Sequence, residues 1–380
     1  MGSSKKLRVG IIFGGRSGEH EVSLMSARSV LNALDPEKYE ITQIGISHRG
    51  EWLVGDDTWK AFSKGELHEL ARVAIMPDPT AKELLVIQHN QSGEFFERLT
   101  DLDVVFPVLH GTFGEDGTLQ GLFELADLAY VGAGVLGSSL AMDKGVFKDV
   151  MIANDIPVVE SIIVFRGEIE SSLERILDQA ERVSEYPLFV KPANMGSSVG
   201  ITRCLSRSDL IEGLIEAARF DRRVLIEKGL DAREIEVSVL GNQELAASVP
   251  GEIIPSREFY SYEAKYVDDE SELLIPAPLS EEMSKRVREL SIKAYRAIDC
   301  AGMARVDFLL EKVDSDSIES PQVYLNEINT IPGFTKISMY PKLWEASGIP
   351  YSTLVDQLIG LALERKSDRD RTVRRYEGAG

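Results

Sequence analysis

Short apolar runs and amphipathic stretches alternate along the first third of the chain. Residues 7–13 end at a Gly-Gly pair, and their length and β-branched content predict a strand buried on both faces. Residues 21–34 carry apolar side chains close to helical spacing and predict a helix. Residues 41–46 and 104–109 predict further strands, and this order predicts a parallel sheet. Residues 56–100 look irregular, and no elements can be ordered there.

Two more units follow in the apolar pattern. Strands are predicted at residues 158–165, 188–191, 224–227, 236–240, 305–310 and 323–329, and helices at residues 173–180, 210–218 and 281–298. We therefore predict an α/β protein with domains at residues 1–143, 144–235 and 236–366. Residues 367–380 are dense in charged side chains and are expected to form a frayed tail.

Composition and charge exclude several classes of function. The formal charge of −20 argues against general binding to nucleic acid or to anionic membranes. No run approaches the roughly 18–20 apolar residues of a membrane span, and the first residues lack the apolar segment of a secretory signal. The two cysteines, Cys204 and Cys300, have no CxxC spacing, which argues against a disulfide framework or a thiolate zinc site. A cytoplasmic location is expected.

Two glycine-rich segments are candidates for binding phosphate. Residues 132–137 match GxGxxG, but a dinucleotide fold also needs an acid about 20 residues on, at the end of the second strand. Asp155 has that offset but precedes a predicted strand, so this reading is disfavoured. Residues 191–200 place a lysine at a strand end before a Gly-Ser-Ser loop, whose small residues let backbone N–H groups approach phosphate oxygens. A surface hairpin tip is the alternative, and no Walker-type segment occurs.

Acidic and amide side chains mark a candidate metal site. Strand periodicity directs Arg305 and Asp307 to one face of the strand at residues 305–310, and it does the same for Glu327 and Asn329. If the two strands pair, these oxygen ligands converge beside an arginine. Such a set suits Mg²⁺ or Mn²⁺ rather than zinc. A solvated sheet face with salt bridges is the alternative reading.

Seven segments together carry a family resemblance. They are residues 13–23, 110–121, 142–144, 191–200, 262–266, 305–307 and 326–333. In this order they resemble the D-alanine–D-alanine ligase family of the ATP-grasp superfamily. The resemblance implies a three-domain ATP-grasp architecture, with an N-terminal parallel α/β domain and the nucleotide between the central and C-terminal lobes. It also implies ATP-dependent ligation of two D-alanines through an acyl phosphate for peptidoglycan synthesis, with two Mg²⁺ (or Mn²⁺) ions and a homodimer.

The resemblance also implies a role for each matching residue. The implied contacts are Lys144, Lys191, Gly196, Ser197 and Ser198 for the ATP phosphates, Glu227, Lys228, Leu230 and Glu234 for the adenosine, Asp307, Glu327 and Asn329 for the metals, Glu19 and His110 for the first D-alanine, Lys265 and Ser338 for the second, and Arg305 with the Gly333 amide for the oxyanion. Tyr266 would tie an active-site flap to Ser197 and Glu19. That tyrosine favours an amine acceptor over D-lactate.

Two other readings stay open at this point. A different ATP-grasp ligase would keep the metal and phosphate residues but would lack the segments around Glu19 and Tyr266. A regulatory nucleotide-binding protein with a degenerate site would be expected to have lost acidic ligands, and the sequence retains them. Phosphate release with and without D-alanine separates these readings.

Overall fold

The computed structural model describes residues 5–91, 93–196, 199–254, 272–312 and 321–373. These residues form three sheets that follow one another along the chain, with helices packed against them. The domain boundaries proposed from the sequence stay predictions. Among the helices that the structure describes, none is long and apolar enough to cross a membrane.

The first sheet is parallel on one side and antiparallel on the other. Its strands lie in the order β6 (Gly93–Asp101), β5 (Glu83–Asn90), β4 (Ala71–Ile75), β3 (Trp52–Val54), β2 (Tyr39–Ile46), β1 (Leu7–Gly14), β7 (Val104–Pro107) and β8 (Ala129–Tyr130). Strands β2, β1, β7 and β8 are parallel, whereas β3 to β6 add antiparallel neighbours. Helices α1 (His20–Ala33), α2 (Thr58–Lys64) and α3 (Thr118–Leu125) belong to this part of the chain.

Residues 56–100, which look irregular in the sequence and could not be divided into elements, contain ordered elements in the structure. This stretch contains α2 and three strands that extend the first sheet. Each of the two inner strands buries alternate residues, Val73 and Ile75 in β4 and Leu84 and Val86 in β5. The period of two is therefore present, but each run is too short and too rich in polar residues to stand out in the sequence.

The second sheet is antiparallel and has helices against one face. Its elements are β9 (Ser161–Phe165), α6 (Arg166–Ser171), α7 (Leu173–Ala180), β10 (Leu188–Pro192), β11 (Thr202–Cys204), α8 (Arg207–Phe220) and β12 (Arg223–Lys228), with strand order β11-β10-β12-β9. Two helices precede it in the chain, α4 (Val135–Met142) and α5 (Lys144–Ala153), and their side chains Ala141, Phe147 and Met151 lie in a core with the strands of the third sheet. The predicted strands and helices are present with small shifts of their ends. The strand predicted from residue 158 begins at Ser161, because Val158 forms an isolated bridge with Leu325 instead.

The third sheet carries the acidic strands. Its elements are β13 (Ala232–Gly241), β14 (Ala246–Ala247), β15 (Gly251–Ile254), β16 (Glu272–Leu274), α9 (Glu281–Ala297), β17 (Gly302–Glu311) and β18 (Val323–Asn329), with strand order β16-β15-β13-β17-β18 and β14 beside β13. Neighbouring strands are antiparallel. Helix α9 packs Val287, Ala294 and Tyr295 into the core behind this sheet.

Two helices follow the third sheet, α10 (Met339–Ala346) and α11 (Tyr351–Arg369). Helix α10 packs against β13 of the third sheet, whereas α11 returns to the first sheet. Leu354 and Leu358 of α11 lie in one buried cluster with Ile11 of β1 and Phe106 of β7. Helix α11 therefore supplies part of the core of a sheet whose first strand begins at Leu7.

The first three residues of the predicted frayed tail, residues 367–369, are helical. Helix α11 continues to Arg369, and its last turn is held by charge. Lys366 Nζ lies 3.1 Å from Asp127 Oδ1, and Arg369 pairs with Asp127 and Glu124 near the end of α3. Residues 374–380 lie outside the described part of the chain.

The GxGxxG segment has a packing role. Gly132 adopts a positive φ of 98° in the turn after β8, and Gly137 lies inside α4. A Cβ atom on Gly137 would lie 3.1 Å from the Asp299 carbonyl oxygen, so the glycine lets α4 approach the chain before β17. Asp155 follows helix α5 rather than ending a strand, so the structure gives no support to a dinucleotide site.

Candidate active site

Three carboxylates occupy one row across the third sheet. Asp307 of β17 lies opposite Glu327 of β18 on one side and opposite Glu236 of β13 on the other. Directly opposite residues of antiparallel strands share a face of the sheet. Asp307 and Glu327 therefore face the same side, as the strand periodicity predicts. Glu236 joins them, although sequence reasoning missed it.

Arg305 neutralises part of this row. Its Nε and Nη2 atoms donate to the two carboxylate oxygens of Asp307 at 2.8 and 2.7 Å, and Nε lies 2.9 Å from Glu236 Oε2. Burial opposes the charged form of the guanidinium, but the charges of Asp307 and Glu236 outweigh it and hold the pKa of Arg305 well above its ordinary value. The arginine is a fixed positive charge at this site.

Asn329 completes the oxygen-rich group. Its side-chain amide donates to Asp307 Oδ2 at 2.8 Å and lies 3.5 Å from Glu327 Oε1. The amide thus occupies the gap between two carboxylates, and a half-turn of its side chain would present an oxygen there instead. Asp307, Glu327 and Asn329 offer carboxylate and amide oxygens and include no histidine or cysteine. They therefore suit a hard divalent cation.

A different cluster also contains metal-ligand residue types. His20, Glu21 and His48 offer ligand atoms within 4.8 Å of one another, at the start of α1 and just after β2. The two imidazole rings stack with their centroids 3.7 Å apart and their planes at 24°. Stacked rings do not aim their lone pairs at one point, so this geometry favours ring stacking over coordination.

Two lysines share one buried carboxylate in the second sheet. Glu227 of β12, which is 2% exposed, lies 2.5 Å from Lys191 Nζ through Oε2 and 2.5 Å from Lys148 Nζ through Oε1. Burial alone would raise the pKa of Glu227, but Lys191 and Lys148 lower it from 4.5 to about 2. Sequence reasoning missed Lys148. One indication of its role is present in the sequence: Lys148 lies four residues after Lys144, on the same face of the predicted helix.

This ion-pair triad predicts a pH-dependent contribution to stability. Because the folded-state pKa of Glu227 lies below its ordinary value, its stabilising effect is full above pH 4.5 and is lost as the pH falls towards about 2. We expect Glu227→Gln to lower the free energy of unfolding at pH 7 by about 3–5 kcal/mol, because two lysines stay buried without their carboxylate. Urea unfolding at several pH values should show the difference from the wild type shrinking below pH 4.5. A difference that stays constant with pH would contradict the assigned ion pairs.

Lys144 forms a hydrogen bond to the backbone of the predicted phosphate loop. It is the first residue of α5, whose N-terminus is capped by Asp143 through bonds from the Gly145 and Val146 amides at 3.0 Å. The Lys144 Nζ atom donates to the Met195 carbonyl oxygen at 2.7 Å. The helix cap thus places an ammonium group beside the glycine-serine loop. Ser197 and Ser198 of this loop lie outside the described residues.

Glu19 brings the first sheet's loops to this phosphate loop. It immediately precedes α1 and is 8% exposed. A Cβ atom on Gly196 would lie 3.1 Å from Glu19 Oε2, and one on Gly111 would lie 2.4 Å from the same atom. Both glycines therefore allow their loops to approach the carboxylate. The structure places Glu19, the loop after His110 and the loop after Lys191 together.

The loop after β18 is held by side chains from the first sheet. His110 is 4% exposed, and its Nδ1 atom lies 3.0 Å from the Ile331 carbonyl oxygen. Burial outweighs the charge of Glu19 and lowers the pKa of His110, so the ring is neutral at neutral pH. Glu115 accepts from the Ile331 amide at 3.3 Å and from the Gly111 amide at 2.6 Å. Neither Glu115 nor its contacts were identified from the sequence.

The remaining candidates occupy the surroundings of these groups. Ser338 lies just before α10, and its Oγ accepts from the Thr335 amide at 3.0 Å. A Cβ atom on Gly333 would lie 2.9 Å from that Oγ, so a larger residue here would require Ser338 to move. Lys228 ends β12, Leu230 follows it and Glu234 lies on β13. Lys265 and Tyr266 lie outside the described residues, so their predicted roles stay predictions.

Comparisons with known proteins agree along the chain. Residues 8–133 match the family model described as D-ala D-ala ligase N-terminus, and residues 150–360 match D-ala D-ala ligase C-terminus. A D-alanine--D-alanine ligase from Thermoanaerobacter is 51% identical over 368 residues, covering 97% of this chain and 99% of the relative. The solved D-alanine-D-alanine ligase of Coxiella burnetii is 37% identical with a TM-score of 0.79, covering 97% of each chain. The VanG D-Ala:D-Ser ligase of Enterococcus faecalis is 35% identical with a TM-score of 0.81, covering 94% of this chain and 100% of that one.

Proposed function

Because this chain belongs to the D-alanine–D-alanine ligase family, we propose that it joins two D-alanines to D-alanyl-D-alanine at the expense of ATP. The product serves peptidoglycan synthesis. One observation supports placing the reaction at this site. Glu236, Asp307 and Glu327 form a row beside Arg305, so oxygen ligands and a fixed positive charge lie together.

The first chemical step transfers the γ-phosphoryl group to a carboxylate. An oxygen of the first D-alanine forms the new bond to phosphorus while the bond to ADP breaks, which yields an acyl phosphate. Two anions must approach, so the site has to supply positive charge and fix the reactants. We assign phosphate binding to Lys144, which donates to the Met195 carbonyl oxygen, and to Lys191, which precedes the glycine-serine loop at the end of β10. Glu19 is assigned to the ammonium group of the first D-alanine.

The second step is attack by an amine. The nitrogen of the second D-alanine bonds to the acyl carbon, and the resulting tetrahedral oxyanion collapses with loss of phosphate while the nitrogen gives up a proton. Arg305 and the Gly333 amide are assigned to the oxyanion, since preorganised donors act most strongly where charge develops. Ser338 is assigned to the carboxylate of the second D-alanine.

Asp307, Glu327 and Asn329 are the residues that would hold magnesium or manganese. When bound, two such ions would neutralise phosphate charge during the transfer. The all-oxygen chemistry of the three residues supports this assignment. The family resemblance supports the assignment of Glu227, Lys228, Leu230 and Glu234 to the adenosine. They lie on β12, on β13 and in the turn between them.

We also propose a homodimer and a cytoplasmic location. Strand β6 forms the outer edge of the first sheet and exposes Phe95, Phe96 and Leu99, which supports burial of this edge by a second copy. Both cysteines are buried and unpaired, as is usual in a reducing compartment. Sedimentation velocity of the full chain tests the dimer.

Product identification tests the proposed function directly. With ATP, Mg²⁺ and D-alanine, the protein should release one phosphate for each D-alanyl-D-alanine formed, as measured by mass spectrometry and a phosphate assay. Without an amino acid, phosphate release should stay near background. Amino-acid-independent release would contradict the ligase assignment, and release that depends on another amino acid would point to a different ligase.

Competition between acceptors tests the substrate assignment. D-Alanine, D-serine and D-lactate are offered together at equal concentration near neutral pH. We expect D-alanyl-D-alanine as the main product. Preferential formation of the ester with D-lactate, or of the D-serine dipeptide, would overturn the choice of D-alanine as acceptor without removing the ligase chemistry.

A further inference from the structure

The loop that follows β18 is anchored on both sides of Gly333 by the N-terminal part of the chain. The Ile331 carbonyl oxygen is 3.0 Å from His110 Nδ1, and the Phe334 amide donates to Ser26 Oγ at 3.2 Å. Ile331 and Phe334 are themselves 1% and 0% exposed. Gly333 therefore lies between two positions whose backbone groups are bound by side chains distant in sequence.

The direction of each hydrogen bond in this network follows by elimination. A carbonyl oxygen can only accept, so Nδ1 of the neutral His110 ring carries the proton and donates to Ile331. Nε2 is then the acceptor, and the Ser26 hydroxyl, 3.0 Å away, must donate to it. The lone pairs of Ser26 Oγ stay available to the Phe334 amide. One side chain thus fixes the histidine tautomer and holds the loop.

Ser26 is buried and is linked to the rest of the network by hydrogen bonds. It lies on the buried face of helix α1 and is 0% exposed. Its bonds link α1, the loop after β7 at His110 and the loop after β18 at Phe334. Because the side chain is buried, it acts on substrate only through these neighbours.

We infer that Ser26, together with His110, positions the Gly333 amide for the second chemical step. The inference rests on the proposed function, in which that amide binds the tetrahedral oxyanion. Such a donor acts only when it is already aimed at the place where charge develops. A displacement of about 1 Å can cost on the order of 100-fold in rate.

Removing the hydroxyl should slow amine attack more than phosphoryl transfer. We expect Ser26→Ala to lower kcat by about 10- to 100-fold, with the KM for ATP within about twofold of the wild type. The two steps are separated with ATP labelled by ¹⁸O at the β,γ-bridge. Reversible acyl phosphate formation moves that label to a non-bridging position, so the ratio of label scrambling to dipeptide formation should rise in the variant.

Different outcomes test the positioning role of Ser26 and the proposed ligase function. Scrambling and dipeptide formation that fall together in Ser26→Ala, or that both stay at wild-type levels, would overturn the positioning role. Absence of D-alanine-dependent dipeptide formation in the wild type would instead overturn the proposed function. Thermal unfolding of each variant shows whether the fold is retained.

Two further variants sharpen the test. Ser291→Ala removes another fully buried helix hydroxyl, whose Oγ donates to the Val287 carbonyl oxygen within α9, and it should leave the ratio unchanged. His110→Asn keeps an N–H donor near Ile331 but loses the acceptor for Ser26. If the two side chains act as a unit, the double variant Ser26→Ala with His110→Asn loses less than the product of the single losses. Losses that multiply would contradict the linked network.

Discussion

Replacing Arg305 with alanine should lower the turnover number by about two to three orders of magnitude and leave ATP affinity nearly unchanged. The guanidinium is the fixed cation of the acidic row, and its assigned task is to bind the oxyanion formed when the amine attacks. That interaction exists only in the transition state and the intermediate, so its loss appears in kcat rather than in nucleotide binding. Steady-state kinetics and a nucleotide-binding titration on the same sample measure both quantities.

The same substitution should also destabilise the protein, and a second variant separates this effect from catalysis. Without Arg305, the buried carboxylates of Glu236 and Asp307 lose their partner, which typically costs about 3–5 kcal/mol. Adding Glu236→Gln removes one of these charges. The double variant should therefore recover part of the unfolding free energy without recovering turnover. Recovery of activity together with stability would show that Arg305 acts only on the fold.

Replacing Glu327 with glutamine should produce the second large effect. The change keeps the size of the side chain but removes a charge from the pair that Asn329 bridges. Loss of groups that merely orient metal ligands typically costs about 10- to 100-fold in metal affinity or activity, and loss of a ligand should cost at least as much. We expect turnover at low millimolar Mg²⁺ to fall by about 100-fold, and the Mg²⁺ concentration for half-maximal rate to rise.

A matched variant on the neighbouring strand controls for the loss of one negative charge. Glu311→Gln makes the same chemical change at the far end of β17, where the chain pairs with Ala232 rather than with the acidic row. Its Mg²⁺ titration should match that of the wild type. A Glu327→Gln variant with an unchanged Mg²⁺ requirement would contradict the metal assignment, whatever its turnover.

The acidic site could be predicted from the sequence because it depends on the alternation of side chains within two strands. Alternation within β17 puts Arg305 and Asp307 on one face, and alternation within β18 does the same for Glu327 and Asn329. One further assumption, that the two strands pair, was enough to bring the groups together. The observed register bears out that assumption.

The residues that were missed depend on contacts between distant parts of the chain. Glu236 enters the site because β13 pairs with β17, which no pattern within residues 232–241 can indicate. Ser26 is an ordinary polar residue on a helix until the loop at Phe334 packs against it. Sequence periodicity shows which face a side chain occupies, but it does not show which element covers that face.

The extent of the first sheet escaped prediction for a different reason. Strands β3, β4 and β5 are short or partly polar, and the hairpin of β5 and β6 carries many exposed residues. These strands are regular because each one pairs with a neighbour at the edge of the first sheet. Strand β1, in contrast, is buried along most of its length and was evident from its apolar run.

The return of helix α11 to the first sheet has a consequence for biosynthesis. Leu354, Leu358 and Ile359 fill a core whose other members include Val9 and Phe106. A nascent chain that has been made only as far as β8 therefore lacks a helix that contributes to the core of that sheet. The first sheet can reach its native core only after α11 has been made, so its strands are synthesised long before their packing is complete.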